Sequence, residues 1–191
     1  MADHPPTGAK RLDAESLKAL AHPLRVRILA TLRALGPATA SALGRRLGES
    51  SGATSYHLRQ LERHGFVEEE SGRGSTRERW WRAAHRTTEW VDAPWEDDSA
   101  AAAATAFLRR FQADYEQRAV HQWDAEWASW TPRWQDAAAS SDVLLRLRVD
   151  QLEQLNAEME GVLQRWIGQE DPEGEHVAVF FRAFPQHEPT L

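Results

Sequence analysis

The sequence predicts an α+β chain that is mainly α, and three observations carry that reading. Thr54, Leu58 and Leu61 recur at helical spacing. Gly65 then gives way to Phe66-Val67, the turn Ser71-Gly72-Arg73-Gly74 and a returning run from Arg77 to Trp81, which is a helix followed by a β-hairpin. Next, the apolar residues Ala104, Phe107, Leu108, Phe111, Tyr115, Ala119, Trp123, Trp127 and Trp130 step by three or four, the period of one long helix. Finally, Val143, Leu145, Leu147 and Val149 alternate with Arg146 and Arg148, the pattern of a half-buried strand.

Composition narrows the function classes. The chain has 191 residues, enough for one large domain or two small ones. Cysteine is absent, which removes disulfides, thiolate metal sites and cysteine nucleophiles. The eight histidines are scattered, and none has another three or four residues away, so no metal or cofactor is expected. No apolar run is long enough to span a bilayer. The opening MADHPPTGAKR lacks the order of a secretion signal, so a cytoplasmic protein without membrane contact is expected. The net charge of −6 hides an asymmetry: residues 1–90 hold 15 Lys/Arg against 10 Asp/Glu, and residues 91–191 hold 8 against 19. Phosphate neutralisation drives nucleic-acid affinity, so the first half is the expected contact surface. The acidic second half should face away from DNA.

Residues 1–11 are polar and proline-bearing, and are read as a disordered tail. Leu12–Ala21 reads as a helix capped by Asp13. His22-Pro23 breaks it, because a residue before proline is pushed out of the α region. Pro23 suits the first turn of a second helix, Pro23–Leu35, ended by Gly36-Pro37. Thr39 caps a third helix, Ala40–Leu47; Gly48-Glu49 is a turn; Ser50 caps the fourth helix, which runs to His64. The exposed face of that helix carries Ser51, Ser55, Tyr56, Arg59, Gln60 and Arg63, and no carboxylate precedes Glu62. A polar helix face followed by a basic β-wing is the layout of a winged helix-turn-helix. The competing reading is a common α+β fragment with a solvated arginine face.

Residues 12–90 resemble the ArsR-type winged helix-turn-helix family of bacterial repressors. The resemblance rests on Leu20-Ala21-His22-Pro23-Leu24-Arg25 with Ile28-Leu29, then Leu43 and Leu47, then Ser55-Tyr56-His57-Leu58 with Leu61, then Gly65-Phe66-Val67. It implies a DNA-binding repressor whose recognition helix is Ser50–His64. Ser51, Gly52, Ser55 and Tyr56 would approach base edges, with Gln60 on the same polar face. Arg59 is the best candidate for sequence readout, since arginine on guanine is the commonest specific contact. Arg63 would take a base or a phosphate; His57 would be packed or phosphate-bound. Arg45, Arg46, Arg73 and Arg77 are placed for phosphate, or for minor-groove insertion from the wing. The sequence departs from the family's metal sensors, which carry a cysteine pair in the helix that here is Ala40–Leu47.

The second half, residues 95–191, is expected to be a long helix plus a small β-α-β module. Glu96-Asp97-Asp98 favour a helix start, and the stripe persists to Pro132. About thirty residues span roughly 45 Å, too long for a small domain to cover, so a second copy is the expected partner. Trp123, Trp127, Trp130 and Trp134 are either a dimer or domain core, or a pocket for a planar or cationic small molecule. Asp142–Val149 and His176–Phe184 read as strands around a helix that Asp150 and Glu153 would cap.

The expected function is a homodimeric, sequence-specific DNA-binding regulator, acting as a repressor, with a small-molecule effector as candidate control. The alternative is a winged helix used for protein contact without specific DNA binding. The chain has no Gly-rich phosphate loop or Ser–His–acid ordering, and Glu153, Glu158 and Glu160 read as exposed helix carboxylates, so an enzyme is not expected.

Overall fold

In the computed structural model, residues 9–70, 79–89, 98–167, 169–171 and 173–187 are described. Contacts divide the chain into two units, Met1–Ala113 and Asp114–Leu191. The division falls inside a helix, later than the boundary expected near residues 90–95, because the first half of that helix belongs to the N-terminal core.

The first unit opens with β1 (Ala9–Arg11) and α1 (Ala14–Leu20). Asp13 caps α1, its Oδ1 accepting from the Ser16 N–H at 2.8 Å. Leu12 lies outside the helix yet is buried. α2 (Pro23–Leu35) starts at proline as expected; His22 is extended and its Nδ1 accepts from the Leu24 N–H. β2 (Ala38–Thr39) leads into α3 (Ala40–Leu47), capped by the Thr39 hydroxyl. α4 (Ser51–Arg63) is capped by Ser50, and its stripe Thr54, Leu58 and Leu61 is fully buried. Gly65 sits at φ +68°. The N–H groups of Gly65 and Phe66 donate back to Glu62 and Leu61, which closes α4 in a Schellman arrangement.

The wing follows. β3 (Val67–Glu69) and β4 (Trp80–Ala83) pair antiparallel, and β2 joins β4's other edge. Of the two adjacent tryptophans Trp81 is the one in the core, at 3% exposure. The wing tip, with Arg73 and Arg77, lies outside the described residues. β5 (Thr87–Glu89) pairs in parallel with β1, Ala9 opposite Thr87 and Arg11 opposite Glu89. This corrects the expected disordered tail at its last residues, Ala9–Arg11, which form a short ladder with Thr87–Glu89. Neither segment carries an apolar alternation, so only the partner reveals them.

α5 (Ser99–Glu126) has 28 residues. The helix-start acids Glu96 and Asp97 are outside the described residues, but Asp98 Oδ1 accepts from the Ala101 N–H and Asp98 Oδ2 takes Lys18 Nζ, each at 2.9 Å. Ala101, Ala104, Thr105 and Leu108 are buried. Ala104 and Leu108 join Leu17, Leu20, Ile28, Leu29, Leu43, Leu58, Leu61, Phe66, Val67 and Trp81 in one core. Further along the same helix Tyr115 is 50% exposed, so burial of the stripe stops well short of its end.

In the second unit α5 ends at Glu126, and a 3₁₀ turn, Trp127–Ser129, precedes α6 (Pro132–Ala137). The helix therefore ends before Pro132. α7 (Val149–Ile167) is present, but it starts earlier than the expected Asp150 cap. Gln151 Oε1 accepts from the Arg148 N–H at 3.1 Å, and Asp150 pairs with Arg148 in the first turn. Residues 141–148 and 175–186 carry no strand. The two strands of the expected β-α-β module are corrected to chain without regular secondary structure, with Val143, Leu145, Val177 and Val179 exposed. Alternation supplies a face but not a ladder partner, and two strands alone are marginal.

Gly44 is where α3 meets the start of α4. A Cβ there would lie 2.8 Å from the Glu49 carbonyl oxygen and 3.3 Å from Thr54 Oγ1. Gly44→Ala is expected to cost about 1–3 kcal/mol, read by urea denaturation. Gly52→Ala in α4, whose Cβ would meet only Ser50 Oγ at an ordinary 3.9 Å, is the control and should be neutral or stabilising by about 0.5–1 kcal/mol.

Candidate nucleic-acid interface

α4 presents the polar face expected of it. Ser51, Arg59 and Arg63 are exposed, and Tyr56 is 57% exposed. Ser55 and Gln60 are half-buried. Arg45 and Arg46 are exposed in the last turn of α3. Among the described residues, Arg45, Arg46, Arg59 and Arg63 have no ion pair.

The wing strands behave differently. Arg79 Nε and Nη2 both donate to Glu69 Oε2, Glu62 lies 3.6 Å away, and the guanidinium sits 4.8 Å over the Trp81 ring. The Glu69 hydrogen bond, above all, raises the Arg79 pKa. Arg82 pairs with Glu68 at 2.7 Å and Glu70 at 2.9 Å. Acids on and just after β3 thus answer the cations at the base of the wing, while the named arginines of α3 and α4 have no acid partner among the described residues.

A polar cleft of about 240 Å³ joins these elements. Thr39 and Ser41 come from the start of α3, Ser55 and Arg59 from α4, Arg79 and Trp81 from the returning wing strand. Thr39, Ser41 and Arg79 are sequence misses. Arg79 shares strand parity with the core residue Trp81, and Ser41 falls in the first turn of a capped helix, so both left a signal.

His57 does not belong to the exposed face. Its ring is half-buried, with its centroid 4.3 Å from that of His22 and 5.1 Å from that of Tyr56, the latter edge-on. His57 Nδ1 and Arg25 Nε are buried without a hydrogen-bond partner among the described residues. Burial lowers the pKa of both histidines; the Arg25 charge lowers His22 further, and the His22 and Arg25 charges lower His57, against a weaker pull from Glu49. Arg25 is itself lowered by burial, with Tyr56 opposing. The pair sits 35 positions apart in sequence, which is why spacing of three or four did not reveal it.

In the second unit the four tryptophans do come together. Trp123 and Trp127 meet edge-on at 5.1 Å, Trp123 and Trp130 lie 6.3 Å apart, and Trp130 and Trp134 lie 6.1 Å apart. Trp127 and Trp134 remain exposed. Trp130 Nε1 is buried with no hydrogen-bond partner among the described residues.

The histidine pair makes stability depend on pH. A lowered folded-state pKa means that the unfolded chain binds protons first as pH falls. The pair's contribution is fully present above about pH 6.5 and is lost as pH drops through that value toward the lower folded-state pKa. Denaturant titrations between about pH 7.5 and 5 should show stability declining with acid, with a shallower decline for His57→Gln. An unchanged slope in that variant would contradict the reading.

No helix among the described residues is long and apolar enough to cross a membrane. Residues 20–70 match the family model described as a helix-turn-helix domain. No curated protein matches the chain. Among solved structures, it is similar to HlyU from Vibrio cholerae at 31% identity, over 35% of this chain and 68% of that one, with a TM-score of 0.31. A possible transcriptional regulatory protein from Mycobacterium bovis (fragment 1–100) is 28% identical over 53% of this chain and 92% of that one, TM-score 0.34. The transcriptional repressor BigR from Xylella fastidiosa is 26% identical over 53% and 84%, TM-score 0.33. Residues 20–70, from the end of α1 through α4 to the first wing strand, are thus a helix-turn-helix domain.

Proposed function

We propose that this chain is a homodimeric, sequence-specific DNA-binding transcription regulator that acts as a repressor. The observation that carries the reading is the contrast in charge compensation. The arginines at the base of the wing are paired with acids, whereas Arg45, Arg46, Arg59 and Arg63 on α3 and α4 are exposed and unpaired among the described residues. Leaving four cations uncompensated beside one another suits a polyanionic partner.

In this reading α4 enters the major groove. Ser51, Ser55, Tyr56 and Gln60 meet base edges, Arg59 reads guanine, and Arg63 takes a base or a phosphate. Arg45 and Arg46 hold phosphate, and Arg73 and Arg77 of the wing hold phosphate or enter the minor groove. The cleft at the start of α3 suits one backbone phosphate, with Ser41, Arg59 and the first α3 N–H groups as donors. His57 acts by packing against His22. The support for a dimer is α5, whose apolar stripe is covered up to Leu108 and exposed at Tyr115. The tryptophan cluster serves as dimer core or as the seat of a planar or cationic effector.

Two substitutions separate readout from positioning. On a DNA fragment selected from genomic DNA, Arg59→Ala should lose about 1–3 kcal/mol and relax base preference at one position. Arg45→Ala should weaken specific and non-specific binding alike and lower the salt slope by about one. If neither substitution changes DNA affinity, the face is a protein-contact surface instead. Sedimentation velocity checks the dimer: a species of twice 21.7 kDa is expected, and a monomer at micromolar concentration contradicts it.

A further inference from the structure

Arg33 is a half-buried cation with no anion to answer it among the described residues. From α2 its side chain reaches β5 and the loop before it. Nε donates to the His85 carbonyl at 2.9 Å, and Nη2 donates to the Thr87 carbonyl at 3.1 Å and Thr88 Oγ1 at 2.7 Å. All three acceptors are neutral. No carboxylate among the described residues pairs with it, and its Nη1 has no partner there. Burial alone pulls its pKa down to about 10, so it still carries its charge at neutral pH. Three of its five N–H donors are thus taken, and the two on Nη1 are left for a charge-assisted hydrogen bond to an anion.

Beside this guanidinium lies a cavity of about 110 Å³. Leu20, Val26, Leu29, Leu108 and Phe111 supply an apolar wall, and the polar contributors are Arg33 and Thr88. The exposed residue Ala30 stands at its mouth. A dry cavity of roughly 150 Å³ accepts benzene, so this one suits about four to six carbons of an alkyl chain. We propose that the cavity between α2, β5 and α5 binds a short-chain monocarboxylate, its alkyl chain against the apolar wall and its carboxylate on Arg33. Inorganic phosphate fits less well, because the wall offers its remaining oxygens no donors. The site shares no residue with the DNA-facing surface or the tryptophan cluster, and its test needs no DNA.

The probes are hexanoate and its neutral isostere hexanamide, added to the full chain at matched ionic strength while thermal unfolding is followed. Hexanoate at about ten times its dissociation constant is expected to raise Tm by about 3–6 °C, with hexanamide giving at most a small fraction of that. Arg33→Gln should abolish the response, but it also removes contacts to β5. Ala30→Phe is therefore the second variant: it fills the mouth from an exposed position, leaves Arg33 in place, and should abolish the response too. Equal shifts from the acid and the amide, no shift from either, or a hexanoate shift that survives Ala30→Phe would each overturn the proposal.

Discussion

The contact between α3 and the turn that starts α4 is the constraint on which the nucleic-acid face depends. Gly44 has no Cβ, so the Glu49 carbonyl can come down onto it, and the Glu49 N–H donates to the Gly44 carbonyl at 2.8 Å. Gly48 supplies the left-handed backbone, φ +73°, that reverses the chain there. Ser50 then caps α4 with its hydroxyl, while Thr54 Oγ1 donates to the Ser50 carbonyl at 2.9 Å from a fully buried position. Each group in this turn fixes another, so the angle between the two helices is set locally rather than by the distant core. The stripe Leu58–Leu61 anchors the far end of α4 on Phe66 and Trp81.

Charge placement follows the same division of labour. The wing carries as many acids as it needs to hold its own strands: Glu68, Glu69 and Glu70 take up Arg82 and Arg79. Exposed ion pairs of this kind are worth little in stability, and their consequence is electrostatic. They leave the uncompensated positive potential on α3 and α4. Arg33 is a different case, half-buried and bonded only to neutral acceptors on β5 and the loop before it.

Local chemistry made much of this legible in the sequence. Asp13, Thr39 and Ser50 cap the helices they were expected to cap, His22-Pro23 and Gly65 mark the boundaries, and Thr54, Leu58 and Leu61 form the buried stripe. What escaped is long-range. The β1–β5 ladder joins residues 78 positions apart by register alone. The His22–His57 stack and the Arg33 clamp on β5 likewise depend on how helices and strands cross. In the second unit, sequence alternation around α7 suggests strands, but a strand exists only with a neighbouring backbone, and residues 141–148 and 175–186 pair with none among the described residues. The four tryptophans meet in space, but their helical spacing does not correspond to one continuous helix: Trp127 lies on a 3₁₀ turn and Trp134 on α6.

The most direct test of the account is fluorescence anisotropy of the unmodified protein with labelled DNA from upstream of its own coding region, against a scrambled fragment, across a salt series. The account predicts binding at least about a hundredfold tighter to the upstream fragment, with affinity falling steeply as salt rises. Equal, weak binding to both fragments, and to fragments selected from genomic DNA, would contradict it and leave a winged helix that binds protein.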